Sequence, residues 1–201
     1  MINWIKDVDL YQHLNDHDII LIGTNLYQQM ANGIQLQVML NYPYVYNKNL
    51  ETKYGDNTKI GTIVEASSDG EPTMCLCFIC KGNFRPFDNK DYLNYEALES
   101  CLKLVNIRYK GKDVACPLLG VSEFEGNGDR DRIIEIFEKT IKDVNLTIYD
   151  YRQKSRAEQM KEVWLKEQEA YKTDRNKFYK MVSERKKAAE ERFKKNGHRR
   201  Y

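Results

Sequence analysis

The sequence is short of the features that define several broad classes. No apolar run approaches the roughly 18–20 residues needed to cross a bilayer, so no membrane partner is expected. The first residues, Met1-Ile2-Asn3-Trp4-Ile5-Lys6-Asp7, lack a basic segment followed by an apolar one, and no secretory signal is read there. The expectation is a soluble, cytoplasmic chain. Cysteine is scarce and odd in number: of 5, Cys75, Cys77, Cys80 and Cys101 sit in apolar or helical patterns, which speaks against a disulfide framework. Charge of one sign is lacking too, since 32 Lys+Arg face 30 Asp+Glu for a net +2.

What is present is an uneven distribution of that charge. Residues 1–150 hold 15 basic and 22 acidic residues, a net −7, and the remainder holds 17 and 8, a net +9. A domain over 1–150, long enough to bury a substantial core, is followed by an unlike segment. That segment has no Pro and one Gly, Gly197, and it spaces Met160, Trp164, Tyr171, Phe178, Val182 and Phe193 at intervals near multiples of 3.5. The pattern predicts an amphipathic helical extension over 151–197, coiled-coil in character, and a basic tail over 198–201. Its apolar stripe needs a partner, either the domain or a second copy in a homo-oligomer. Its cations could track nucleic acid, but glutamates such as Glu158, Glu162 and Glu190 are interleaved among them and favour a salt-bridged solvent face.

Within 1–150, β-like and helix-like segments alternate. Asp18 to Gly23 reads as a strand buried on both faces. A helix opens at Gly33 and is stopped by Asn41-Tyr42-Pro43. Strands follow over 59–66 and 73–80, joined by Ser68-Asp69-Gly70-Glu71-Pro72. Residues 92–108 carry helical spacing, 114–119 is apolar and strand-like, and a Gly-rich loop spans 120–128. A helix over 130–143 and a strand over 146–149 complete a layered α/β/α domain.

The segment from Asp18 to Ile34 combines a buried strand, Asn25, a polar loop and a helix start at Gly33. That order aims backbone N–H groups past the strand's carboxyl end, where a diphosphate fits. The same segment resembles the macro domain, whose pattern here is a strand, an Asn-containing turn and Met-Gly-x-Gly-Ile-Ala. Asn41-Tyr42-Pro43, Lys59-Ile60-Gly61-Thr62, Asn94-Tyr95-Glu96-Ala97-Leu98, Pro117-Leu118-Leu119-Gly120 and Leu146-Thr147-Ile148-Tyr149 continue the resemblance in order. It spans about residues 2–150 and implies a three-layer fold on a mixed central sheet, with ADP-ribose or an ADP-ribosylated substrate as partner.

The resemblance also implies roles. Asp7 or Asp9 would receive the adenine amino group, and the spacing does not choose between them. Asn25 would approach the distal ribose, while Ala31, Asn32, Gly33 and Ile34 would hold the proximal ribose and diphosphate. Gly120, Val121, Ser122, Gly126 and Gly128 would close over the other side, and Tyr149 would stack on adenine. The sequence departs from the pattern at Ala31, where the family has Gly, and at Gln35, where it has Ala. Its second loop is longer and more acidic.

Among macro domains the sequence is nearest to the type that hydrolyses ADP-ribosyl esters with a Lys and an acid. That likeness puts Lys81, after Cys77-Phe78-Ile79-Cys80, on the nucleophile. A lysine attacks the anomeric carbon only when neutral; as an ordinary strand-end lysine it would reach to water. Glu123, Glu125 and Asp129 are the candidate acids, with the alternative that they solvate an exposed loop. The phosphatase subgroup acting on ADP-ribose 1″-phosphate uses His or Asp, and the domain offers His13 and His17. Turnover at the distal ribose is one expectation; a non-catalytic ADP-ribose or nucleotide module is the other. No cofactor and no metal is expected: strand geometry puts Cys75 and Cys77 on one face and Cys80 on the other, so three thiolates would not converge on zinc.

Overall fold

The computed structural model describes residues 1–82, 90–122 and 125–151, together with Leu165, Ser183, Glu184 and Lys187. The chain divides into two compact units, Met1–Tyr151 and Arg152–Tyr201. The helical extension, its oligomerisation and its nucleic-acid contacts fall outside the described residues, apart from those four, which are helical and exposed. Among the described residues no helix is long and apolar enough to cross a membrane.

The apolar run beginning at Asp18 becomes β2 (Ile19–Asn25), in which all seven residues are buried. β4 (Thr73–Cys80) and β5 (Asp113–Pro117) flank it, both parallel to it. β6 (Asn145–Asp150) and β1 (Ile2–Lys6) extend the parallel run beyond β5, and β3 (Ile63–Ala66) lies antiparallel on the outer side of β4. The order is β1-β6-β5-β2-β4-β3, a mixed six-stranded sheet.

Alternation along the strands supplies two cores. Leu21, Cys75, Cys77 and Cys116 pack with Leu98, Cys101 and Val105 of α3 (Tyr95–Arg108) and with Ile133 and Phe137 of α4 (Arg130–Thr140). Ile20, Ile22, Leu76 and Phe78 face the other way, onto Val38 of α1 (Gly33–Asn41), Val45 of α2 (Pro43–Leu50), and Leu10 and Leu14 of a 3-10 segment, Leu10–Asp16. A three-layer α/β/α architecture results, with side chains of successive strand residues entering opposite cores.

The differences from expectation have local causes. Pro43 ends α1 and also starts α2, because proline at the first helical position forfeits an N–H that would have had no acceptor there. The side chain of Asn94 accepts from Ala97 N at 2.9 Å, so α3 starts at Tyr95, after residue 92. Residues Asn57–Lys59 form a 3-10 turn capped by Asp56, which shortens β3. Cys80 joins the same core as Cys75 and Cys77, against the simple alternation. The β2–β4 register slips after Thr24, whose partner is Phe78, so that Asn25 faces Cys80. All five cysteines are buried and unpaired.

Candidate functional site

The chain leaving β2 runs to α1 on one face of the sheet, while the chain leaving the adjacent β5 runs to α4 on the other. Adjacent parallel strands whose connections diverge leave a crevice beyond their carboxyl ends. Two loops wall it, Leu26–Asn32 after β2 and Gly120–Gly128 within the β5–α4 connection.

The first loop is held from beneath. Asn25, 3 % exposed, donates through Nδ2 to Gln29 O at 3.0 Å, and its Oδ1 accepts from Tyr27 N at 2.9 Å and Gln29 N at 3.3 Å. Gln28, in the left-handed region at φ 57°, donates Nε2 to the carbonyls of Asn49, Leu50 and Thr52 at the end of α2. Lys59, 9 % exposed, donates Nζ to Leu26 O and Thr52 Oγ1, each at 3.0 Å, and sits 4.9 Å from the Phe78 ring centroid. Burial pulls its ammonium below the usual lysine range.

Above this scaffold Ala31, Asn32 and Gly33 are exposed. Asn32 makes no side-chain cap on α1, and the first amide to find an acceptor in the helix is Leu36 N, on Asn32 O at 3.2 Å. The amides of Gly33, Ile34 and Gln35 precede it at the positive end of the helix. Ala31 is outside the left-handed region; Gly33, at φ 53°, is the residue whose backbone calls for glycine.

The second loop is folded on itself. Ser122 O accepts from Glu125 N, Gly126 N and Asn127 N at 2.8–3.1 Å, and Gly128 N donates to Gly120 O at 2.9 Å. Leu93 lies against three of its glycines: a Cβ would come within 2.7 Å of Leu93 at Gly120, 3.1 Å at Gly126 and 2.6 Å at Gly128. Glu125 is turned inward and 8 % exposed. Its Oε2 accepts from Gly120 N at 3.2 Å and its Oε1 from Gln35 Nε2 at 3.3 Å; the same Nε2 donates to Gly23 O at 2.7 Å. Burial raises its carboxyl above the usual range. It neither solvates the loop nor projects toward solvent.

Lys81 is exposed immediately after β4. The adjoining Gly82 packs on the first loop, since a Cβ there would lie 2.8 Å from the Tyr27 ring and 3.4 Å from Asn25. A cavity of about 350 Å³ lies beside them, lined by Lys81, Gly82, the segment Tyr92–Glu96 and Arg132. The Arg132 guanidinium stacks 3.7 Å from the Tyr95 ring centroid. Asp129 caps α4, its carboxylate accepting from Arg132 N at 2.8 Å, while its own N–H donates to Tyr95 Oη. Glu123 lies outside the described residues.

At the far end, Asp7 follows β1 at φ 59°, exposed, with its N–H on Asp150 O. Asp9 is committed differently, accepting from Tyr11 N at 3.0 Å as the cap of the 3-10 segment. Tyr149 is 4 % exposed: its hydroxyl hydrogen-bonds His17 Nε2 at 2.9 Å, and its ring stacks on His13 at 5.7 Å. His17 Nδ1 in turn meets Asp113 Oδ2 at 2.9 Å. Both histidines are thus gathered on Tyr149. Sequence reasoning passed over Lys59, Gln28 and the Gln35–Glu125 pair; the substitution of Gln35 for Ala was the only signal of the last. Among the described residues no cluster of three or more His, Cys, Asp or Glu could hold a metal.

No protein-family model matches the sequence, and neither does any curated protein. Solved structures do. A protein from Bacteroides thetaiotaomicron shares 15 % identity over 75 % of this chain and 99 % of its own, with a TM-score of 0.61. The macrodomain of Mycobacterium tuberculosis DarG shares 19 % identity over 76 % of this chain and 99 % of its own, with a TM-score of 0.54. Thermosipho africanus DarTG, solved in complex with ADP-ribose, shares 15 % identity over 79 % of this chain and 44 % of its own, with a TM-score of 0.56. The strand order, the two divergent loops and these likenesses agree on one architecture: the chain has the macro-domain fold.

Proposed function

We propose that the crevice binds ADP-ribose. The observation that carries this reading is the uncapped first turn of α1, exposed beside Ala31–Gly33 at the switch point of a macro-domain sheet. Oriented backbone N–H groups at a helix N-terminus suit a diphosphate. The DarTG structure of the same fold holds ADP-ribose, which supports the assignment. In this reading Ala31, Asn32, Gly33 and Ile34 receive the diphosphate and proximal ribose, with Val121 and Ser122 opposite. Asp7 receives the adenine amino group, being exposed where Asp9 is engaged as a cap. The distal ribose meets the Asn25–Gly82 rim beside Lys81. A domain of net −7 gains little from long-range attraction to an anionic ligand, so affinity rests on the oriented amides. Calorimetric titration with ADP-ribose tests this: saturable binding at one site is expected, and the absence of binding overturns it.

Turnover at the distal ribose is the finer reading. The Lys81 amine displaces the ester carboxylate, or the leaving group of a small derivative, from the anomeric carbon. A carboxyl in the second loop takes the proton lost by the attacking nitrogen, and water then cleaves the lysyl adduct to release ADP-ribose and the free amine. Hydrolysis of ADP-ribosylated glutamate, abolished by Lys81→Ala with binding retained, is the expected result. A specific observation favours the alternative of binding without turnover: Glu125 is buried on Gln35 and Gly120, and Asp129 is engaged as the α4 cap. Full binding with no hydrolysis in the wild type would select it.

A further inference from the structure

The Glu125 carboxyl fits a receptacle made by three separate parts of the chain. Gly23 of β2 makes room for it, since a Cβ there would lie 2.8 Å from Oε1. Gln35 of the first turn of α1 donates to Oε1, and Gly120 N at the root of the second loop donates to Oε2. Gln35 is itself fixed by its 2.7 Å bond to Gly23 O. One side chain therefore ties the second loop to the first turn of α1, and it occupies a buried amide, Gly120 N, at the root of that loop.

The surroundings offer this carboxyl little compensation for charge. The thiols of Cys80 at the end of β4 and Cys116 of β5 feel this carboxyl; burial first, and then Glu125, raises both, so they remain neutral. From β2 and α1 it meets the uncharged Gly23 and Gln35, and among the described residues no Lys, Arg or His forms an ion pair with it. Among the described residues, two neutral donors hold it. An anion arriving at the first turn of α1 would sit beside the residue that donates to Oε1 and make the ionised form costlier still.

We propose that Glu125 is a positioning residue that latches the second loop to α1 through Gln35 and Gly120, and that the crevice takes up a proton on this carboxyl when it binds an anionic ligand. The second half rests on the ADP-ribose reading; the latch does not. The proton comes from solvent, the carboxylate becoming a neutral carboxylic acid with its two amide donors retained.

The full chain is titrated with ADP-ribose by calorimetry in phosphate and in Tris, from about pH 6 to about pH 9, a range in which the ligand has no titrating group of its own. The two buffers differ in ionisation heat, so proton uptake appears as a difference between them. The expected result is uptake of up to about one proton, with affinity falling by at most about tenfold per pH unit as pH rises. Glu125→Gln, which keeps size and neutrality, binds and removes that dependence while leaving His13 and His17 in place. Zero uptake by the wild type, or uptake that survives in Glu125→Gln, overturns the proton coupling. No binding at any pH counts against the ADP-ribose reading instead, and the latch is then read by amide exchange without ligand. Glu125→Ala should speed exchange both at Gly120–Gly128 and in the first turn of α1, while Glu125→Gln, whose single amide oxygen can accept from Gly120 N or from Gln35 Nε2 but not from both, should restore protection on one side only. Unchanged exchange in Glu125→Ala, or a change confined to the second loop, overturns the latch.

Discussion

Gly23 shows at the scale of one residue how a missing side chain becomes structural. It is not in a left-handed conformation; its role is spatial, because a Cβ would meet Glu125 Oε1 at 2.8 Å and Ile79 Cδ1 at 3.0 Å. Gly23→Ala should lower stability by about 1–3 kcal/mol in urea unfolding, the usual cost of overpacking a filled interior, and should weaken ligand binding in parallel. The Glu125 carboxyl adds a pH signature of its own. Burial raises its folded pKa above the ordinary 4.5, so its contribution to stability is fully present below that value and is lost as pH rises through the folded pKa. Urea midpoints of the wild type should therefore fall relative to those of Glu125→Gln as pH is raised, and parallel profiles would contradict this.

At the scale of elements, the site depends on how loops are tied to helix ends. Gln28 shares its two side-chain N–H groups among three carbonyls at and just past the end of α2, the shortest bond going to Thr52 O, and from there it fixes a left-handed turn in the first loop. Gln28→Ala removes those donors, so a loss of about 1–2 kcal/mol is expected, with faster amide exchange over residues 26–32. Asp129 is a comparable tie on α4, and two substitutions separate its possible roles. Asp129→Ala should cost about 0.5–2 kcal/mol through the lost cap, while Asp129→Asn should keep that stability. If hydrolysis is found in the wild type and Asp129→Asn is as stable but inactive, Asp129 acts in the chemistry as well as at the helix end.

For the whole molecule, the near-neutral charge is the sum of −7 and +9 on two units that meet near residue 151. Among the described residues, both hydrophobic cores consist of residues of the first unit. Residues 1–151 should therefore unfold cooperatively without the rest, and should bind ADP-ribose within about twofold of the full chain. Sedimentation of the two should differ, with the full chain associating through residues 151–197 and the shorter piece monomeric. Equal association states would remove the oligomerisation role. Much of this first unit was legible beforehand. β2, α1 and α3 follow from apolar runs and spacings, which depend on neighbours a few residues apart; the caps at Asn94 and Asp129, each three positions before the amide that donates to it, set where α3 and α4 start and show only in the fold. Proline at 43 marks a helix stop in the sequence; its second role, opening α2, shows only where the chain turns back on the sheet.

The candidate site divides along the same physical line. The run from Asp18 to Ile34 was enough to specify a strand, a turn and a helix start, and so where a diphosphate would meet backbone amides, because each of those features is local. The sequence could not say that Glu125 faces inward. Whether a carboxylate is exposed, catalytic or buried depends on what meets it, and Gln35 stands 90 positions away. Tyr149 is likewise met by a distant residue, His17, 132 positions earlier, which bonds its hydroxyl while His13 stacks on its ring. Local order along the chain determined the elements and the amides at the crevice; only the folded sheet, by bringing distant donors and acceptors together and excluding water, decided which side chains remain free to use them.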